Sequence, residues 1–187
     1  MLLVVLTVAS NAIYRLRQFW HGFQATVTED ELALAAGLLT PAAFALFRRL
    51  PIDGQRHSLN VLQTLYGAGV VPDPLAVAAL LHDVGKAAAA EAGLEITLWW
   101  RGPLVLLETF APTLLRRLMV DRPDAGWRYL FYVHQEHPQI GAAWAKNADC
   151  SELSCWLIAH HQDKLAGEPQ DQRTALLQRL QWADSRN

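Results

Sequence analysis

Cysteine is scarce: Cys150 and Cys155 are the only two in 187 residues. A disulfide framework is excluded, and a spacing of five is neither a CxxC redox pair nor a zinc-ligand pattern. An excess of one charge sign is also missing. The chain has 16 Lys and Arg against 18 Asp and Glu, a net charge of −2, so binding to a nucleic-acid polymer through bulk positive charge is not expected. At 52% apolar and 18% charged residues, intrinsic disorder is excluded as well.

Long uninterrupted apolar runs are absent too. The opening MLLVVLTVAS is far short of the roughly 20 residues that span a bilayer, and no positive charge precedes it as in a secretory signal. It reads as the start of a buried helix or as a start codon placed too early. Residues 98–119, LWWRGPLVLLETFAPTLLRRLM, are interrupted by Arg101, Gly102, Pro103, Glu108 and Pro112. A core helical hairpin is expected there rather than a helix lying on a membrane. Trp99 and Trp100 read as core or dimer packing, which leaves a homodimer open. The expectation is a cytoplasmic protein without stable membrane insertion.

Period-two alternation is missing as well, and β-branched residues are few, which argues against sheets. Helical signals run along the chain instead. Thr28 followed by Glu29, Asp30 and Glu31 caps a helix reaching towards Leu39. Pro41 suits the first turn of the next, 42–50, and 51–54 reads as a turn. Helices are expected over 57–67 and 75–82, with Gly85 ending or bending the latter. Two further helices, 127–136 and 141–148, are expected on either side of Pro138. Ser151 opens 153–161, and Asp171 or Thr174 opens a last helix ending at Asp184. The expected fold is a single all-α domain, with residues 1–54 as an N-terminal helical segment of no recognised module. Residues 55–187 form the core, carrying a helical insert at 90–126.

Histidine is what the chain has in an informative arrangement. Six of its seven are His57, His82, His134, His137, His160 and His161. A divalent metal site needs neutral imidazoles and carboxylates converging from several rigid elements. The expected helix ends supply them: His57 after a turn, His82 and Asp83, His137 before Pro138, the pair His160 and His161, and Asp184. Taken singly, each has a plainer reading, such as a helix-end histidine favoured by the helix dipole.

Taken in order, they resemble a known family. Residues 79–86 read ALLHDVGK; Arg56, His57 and Ser58 precede them; His137 and Pro138 lead to Gly141 and Ala142 as HPxxGA; residues 158–161 read IAHH; and Trp182, Ala183 and Asp184 close the series. This H…HD…D order resembles the HD superfamily of metal-dependent phosphohydrolases over residues 55–184, about two-thirds of the chain. The resemblance implies one metal held by His57, His82, Asp83 and Asp184. A second would be held by Asp83 as a bridge with His137, His160 and His161. The mixed N and O ligand set suits Fe, Mn, Co, Ni or Zn, with Mg also admissible. Catalytic roles fall to Asp83 and Lys86, and phosphate contacts to Lys86 and Arg56. The reaction implied is metal-dependent hydrolysis of a small phosphoester, a nucleotide among the candidates. The segment after the paired histidines, QDKLAGEPQ, lacks the DGxGYP of cyclic-di-GMP phosphodiesterases. The alternative is a non-catalytic metal- or nucleotide-binding sensor module. His134 either orients a ligand or is a satisfied, half-buried histidine.

Overall fold

The computed structural model describes residues 26–94, 111–165 and 167–187. The apolar chain start and most of the stretch at 98–119, with Trp99 and Trp100, lie outside the described residues. Among the described residues there is no strand, and no helix is long and apolar enough to cross a membrane. The fold is all-α.

The helices are α1 (Glu29–Leu38), α2 (Pro41–Phe47), α3 (Ile52–Gly67), α4 (Asp73–Leu81), α5 (Ala87–Glu91), α6 (Pro112–Leu118), α7 (Trp127–Asn147), α8 (Glu152–His160) and α9 (Gln172–Asp184), with a 3-10 turn at Val84–Lys86 between α4 and α5. Local chemistry sets most starts. Thr28 and Glu31 form a reciprocal capping box on α1, Thr40 caps α2 ahead of Pro41, Ser151 caps α8, and Asp171 pairs with Thr174 on α9. Each cap satisfies N–H groups that a helix start leaves open.

The hub is α4. Leu75, Ala76, Ala78, Ala79, Leu80 and Leu81 are all buried, the pattern of a helix covered on every side. It packs against α1, α2, α3, α8 and α9. Its C-terminus is therefore fixed from several directions, and the two residues it leads into, His82 and Asp83, inherit that rigidity. Ala35, Leu39, Ala43, Phe47 and Leu50 join the same core, so the described part of the N-terminal segment is integral to it.

Two expected boundaries are corrected. Helix α3 begins at Ile52, so the expected turn at 51–54 is its first turn, and His57 lies inside it. Pro51 serves as the cap, because the first turn has N–H groups without helical partners and a proline there costs nothing. Helix α7 runs unbroken through Pro138, where two helices were expected. A proline inside a helix forfeits one backbone hydrogen bond, which here leaves the His134 carbonyl without its helical partner.

Arg56 ties the N-terminal segment to α3. Its Nη1 donates to Glu31 Oε1 at 2.6 Å, its Nη2 to Glu31 Oε2, and its Nε to the Thr26 carbonyl at 2.8 Å. The Arg56 guanidinium, helped by the Thr28 N–H, holds the Glu31 carboxyl down to about 2. A depressed carboxyl stabilises the fold above its unfolded value near 4.5, and that contribution fades as pH falls towards 2. Glu31→Gln is therefore expected to lower stability at pH 7 by about 1 kcal/mol, the upper end for a partly exposed pair. Melting curves of the two proteins should converge between pH 4.5 and 2. A gap that persists unchanged at pH 2 would show the ion pair to be incidental.

Candidate metal centre

Three elements end or turn at one point: the C-terminus of α4, the middle of α7 and the C-terminus of α8. The three histidines they deliver are oriented in one way. His82 Nδ1 donates to the Ala79 carbonyl at 3.0 Å, His137 Nδ1 to the His134 carbonyl at 2.8 Å, and His161 Nδ1 to the Ile158 carbonyl at 2.8 Å. In each case the acceptor is the carbonyl three residues back, and in each case that carbonyl is spared from the helical ladder. Ala79 and Ile158 lie in the last turns of α4 and α8, where carbonyls lack helical partners. The His134 carbonyl is spared because residue 138, its ordinary partner, is a proline without an N–H. A ring that donates from Nδ1 presents the lone pair of Nε2, the tautomer a ligating imidazole requires.

Those Nε2 atoms converge on Asp83. Asp83 Oδ1 is 3.4 Å from His137 Nε2 and 3.7 Å from His161 Nε2, while Oδ2 is 3.7 Å from His82 Nε2. Across from them, His57 Nε2 is 2.9 Å from Asp184 Oδ1, which is 3.6 Å from His82 Nε2. Asp184 stands near the chain end, yet the end of α9 is anchored. Asn187 Nδ2 donates to Thr64 Oγ1 on α3 at 2.9 Å and to the Ala183 carbonyl at 2.8 Å.

Two groups result. His57, His82 and Asp184 form one, and Asp83, His137 and His161 the other; within each, the ligand atoms lie within 4.8 Å of one another. Asp83 turns one oxygen towards each group. The fit to divalent cations rests on orphaned atoms: Nε2 of His82 and of His161 are buried without a hydrogen-bond partner. Burying such a group unsatisfied costs about 1–3 kcal/mol, a cost a bound cation removes. The donors are imidazole nitrogen and carboxylate oxygen, a set suited to first-row divalent metals.

The electrostatics agree. Burial would raise the Asp83 carboxyl, but Lys86 and then His82 outweigh it and hold it well below the usual carboxylate range. Burial would likewise raise Asp184, and the His57 and His82 rings hold it low. Burial would lower His82, but Asp83 and Asp184 raise it. Burial, reinforced by His82, pushes His161 down to about 3. The centre thus keeps two carboxylates ionised and a buried imidazole neutral.

Four further residues named from the sequence have contacts of their own. His160 is brought to neither group. Its Nδ1 lies 2.6 Å from Asp163 Oδ2 and its ring rests on Trp156, centroids 4.6 Å apart. Neighbouring helix residues point about 100° apart, and the ring that turns inward is the cap residue, His161. Arg56 lies next to His57, but its guanidinium is engaged by Glu31 and Thr26. Lys86 Nζ is 2.7 Å from Asp83 Oδ2. His134 contributes its carbonyl to the centre, as the His137 acceptor.

Gln162 was missed in the sequence. Its Nε2 is 3.2 Å from His137 Nε2. Gln181 was missed too; its Nε2 donates to the His161 carbonyl at 3.0 Å and the Asp163 carbonyl at 2.8 Å, pinning the turn after α8. Nothing in composition or spacing marks either glutamine, since both act through contacts set by packing.

Searches of curated proteins and of solved structures returned no match. A family model described as HD domain matches residues 54–186, a span containing every residue of both groups. The chain belongs to the HD domain family.

Proposed function

We propose that this protein is a metal-dependent phosphohydrolase acting on a small phosphoester, with nucleotides the first class to test. The observation that carries the reading is the pair of ligand groups, with Asp83 of one group turning its Oδ2 to within 3.7 Å of His82 Nε2 in the other, and two buried Nε2 atoms left unsatisfied. His57, His82, Asp83 and Asp184 would hold one divalent cation; Asp83, His137 and His161 would hold the other. Cations so held supply Lewis-acid activation of a phosphoryl group and of a water nucleophile. The chain's own contribution is orientation: spared carbonyls lock three rings with Nε2 inward, and Asp83 and Asp184 stay ionised. Lys86 is half-exposed at the rim, where its ammonium can meet the negative charge that grows on a phosphate in the transition state.

Hydrolysis of an aryl phosphate and of a nucleotide panel, with Mn²⁺ or Co²⁺ added to metal-stripped protein, tests the reading. Lys86→Ala is expected to keep its metal content and lose about 10²-fold in turnover, the usual effect of removing one charge-stabilising donor. Unchanged turnover with a lowered melting temperature would leave Lys86 as scaffold. A second reading, a non-catalytic regulatory module, draws on the same contact. With Lys86 on Asp83 the chain carries its own cation at the centre, so a metal-free folded state has a ready counter-ion. Metal binding without hydrolysis of any substrate in the panel would favour that reading.

A further inference from the structure

Of the three imidazoles locked with Nε2 inward, two have that atom uncovered and one does not. His82 and His161 Nε2 have no hydrogen-bond partner, but His137 Nε2 has the Gln162 side chain at 3.2 Å. Because His137 Nδ1 already donates to the His134 carbonyl, Nε2 is an acceptor there. Only the amide NH2 of Gln162 can satisfy it. The contact is held from behind: Gln181 grips the carbonyls of His161 and Asp163, the residues on either side of Gln162. The side chain is otherwise exposed, so it has solvent to move into.

We propose that Gln162 is a positioning residue that competes for the His137 lone pair and so weakens cation binding at the Asp83, His137 and His161 group. This rests on the metal reading above and extends it, by making one of the two cations the more exchangeable. For that cation to bind, the amide must leave Nε2 and be rehydrated. Losing one such hydrogen bond shifts an equilibrium by roughly 2–10-fold, from the net worth of a typical hydrogen bond.

Calorimetric titration of the metal-stripped chain with Co²⁺ tests it. The wild-type protein should show two events. Gln162→Ala should tighten one of them about 2–10-fold and leave the other unchanged. Gln162→Glu cannot donate to the lone pair and adds negative charge, so it should tighten the same event at least as much. Adding Gln162→Ala to His137→Ala should then change nothing, because the competitor has lost its target. Two events unchanged by Gln162→Ala would overturn the proposal and leave the metal reading intact. A weakened event would overturn it too, by making Gln162 a ligand. No Co²⁺ binding by the wild-type chain would overturn both. The same contact stabilises the metal-free fold, so metal-stripped Gln162→Ala should melt slightly below the wild type, while the metal-saturated proteins should melt alike.

Discussion

Asp83→Ala is expected to empty both halves of the centre at once. Among the described residues, Asp83 is the only carboxylate turned to both groups, one oxygen towards His82 and the other towards His137 and His161. Removing an outer partner of a metal ligand commonly costs about 10–100-fold in affinity. Removing a shared anionic ligand should cost more than about 10²-fold at each position. The fold itself should survive. Lys86 is half-exposed and can be solvated once its partner is gone. Elemental analysis after dialysis against Mn²⁺ should show both ions lost from Asp83→Ala, while His161→Ala retains one. Full metal content in Asp83→Ala, with normal melting, would rule out the bridge.

The second large effect is steric. A Cβ on Gly85 would stand 2.1 Å from the His137 carbonyl oxygen and 2.8 Å from the Gly141 nitrogen. Both obstacles are backbone atoms of α7, which cannot rotate away as a side chain would. Gly85→Ala must therefore push the Val84–Lys86 turn off α7, carrying Asp83 away from His137. Overpacking of this kind costs about 1–3 kcal/mol, and at the centre the displacement separates ligands that must stand within a few tenths of an ångström. The expected result is a folded protein with a lowered melting temperature and metal affinity down by at least about 10-fold. Gly141 faces the same contact, its Cβ position 3.2 Å from the Gly85 nitrogen. Gly141→Ala should be milder, since its contacts are tight rather than forbidden. Equal, negligible effects of the two substitutions would mean that the turn has room the structure does not show.

Much of this was legible in the chain because the chemistry is local. The helix class, the caps at Thr28, Ser151 and Asp171, and the convergence of helix-end histidines all depend on residues a few positions apart. His82 and His161 each stand where a helix runs out of N–H donors for its last carbonyls, and the sequence marks those helix ends. Pro138 misled for the same reason: its effect on a helix is to spare a carbonyl, and sequence alone does not say that His137 will take it. The features that stayed hidden depend on contacts between distant segments. Arg56 looked free to meet a phosphate, yet Glu31, 25 positions earlier, holds it. Gln162 and His137 are also 25 apart, and no residue pattern marks their approach. His160 and His161 differ by a turn of about 100°, which a two-letter motif does not resolve.

The central claim is that two cations share Asp83. Anomalous diffraction from crystals soaked in Mn²⁺ measures it most directly. The account predicts two peaks roughly 3.5–4 Å apart, one at His57, His82 and Asp184 and the other at His137 and His161. Asp83 should contribute one oxygen to each, with Lys86 displaced from Oδ2. No peak at these residues, with Lys86 still bonded to Asp83 at saturating Mn²⁺, would contradict it.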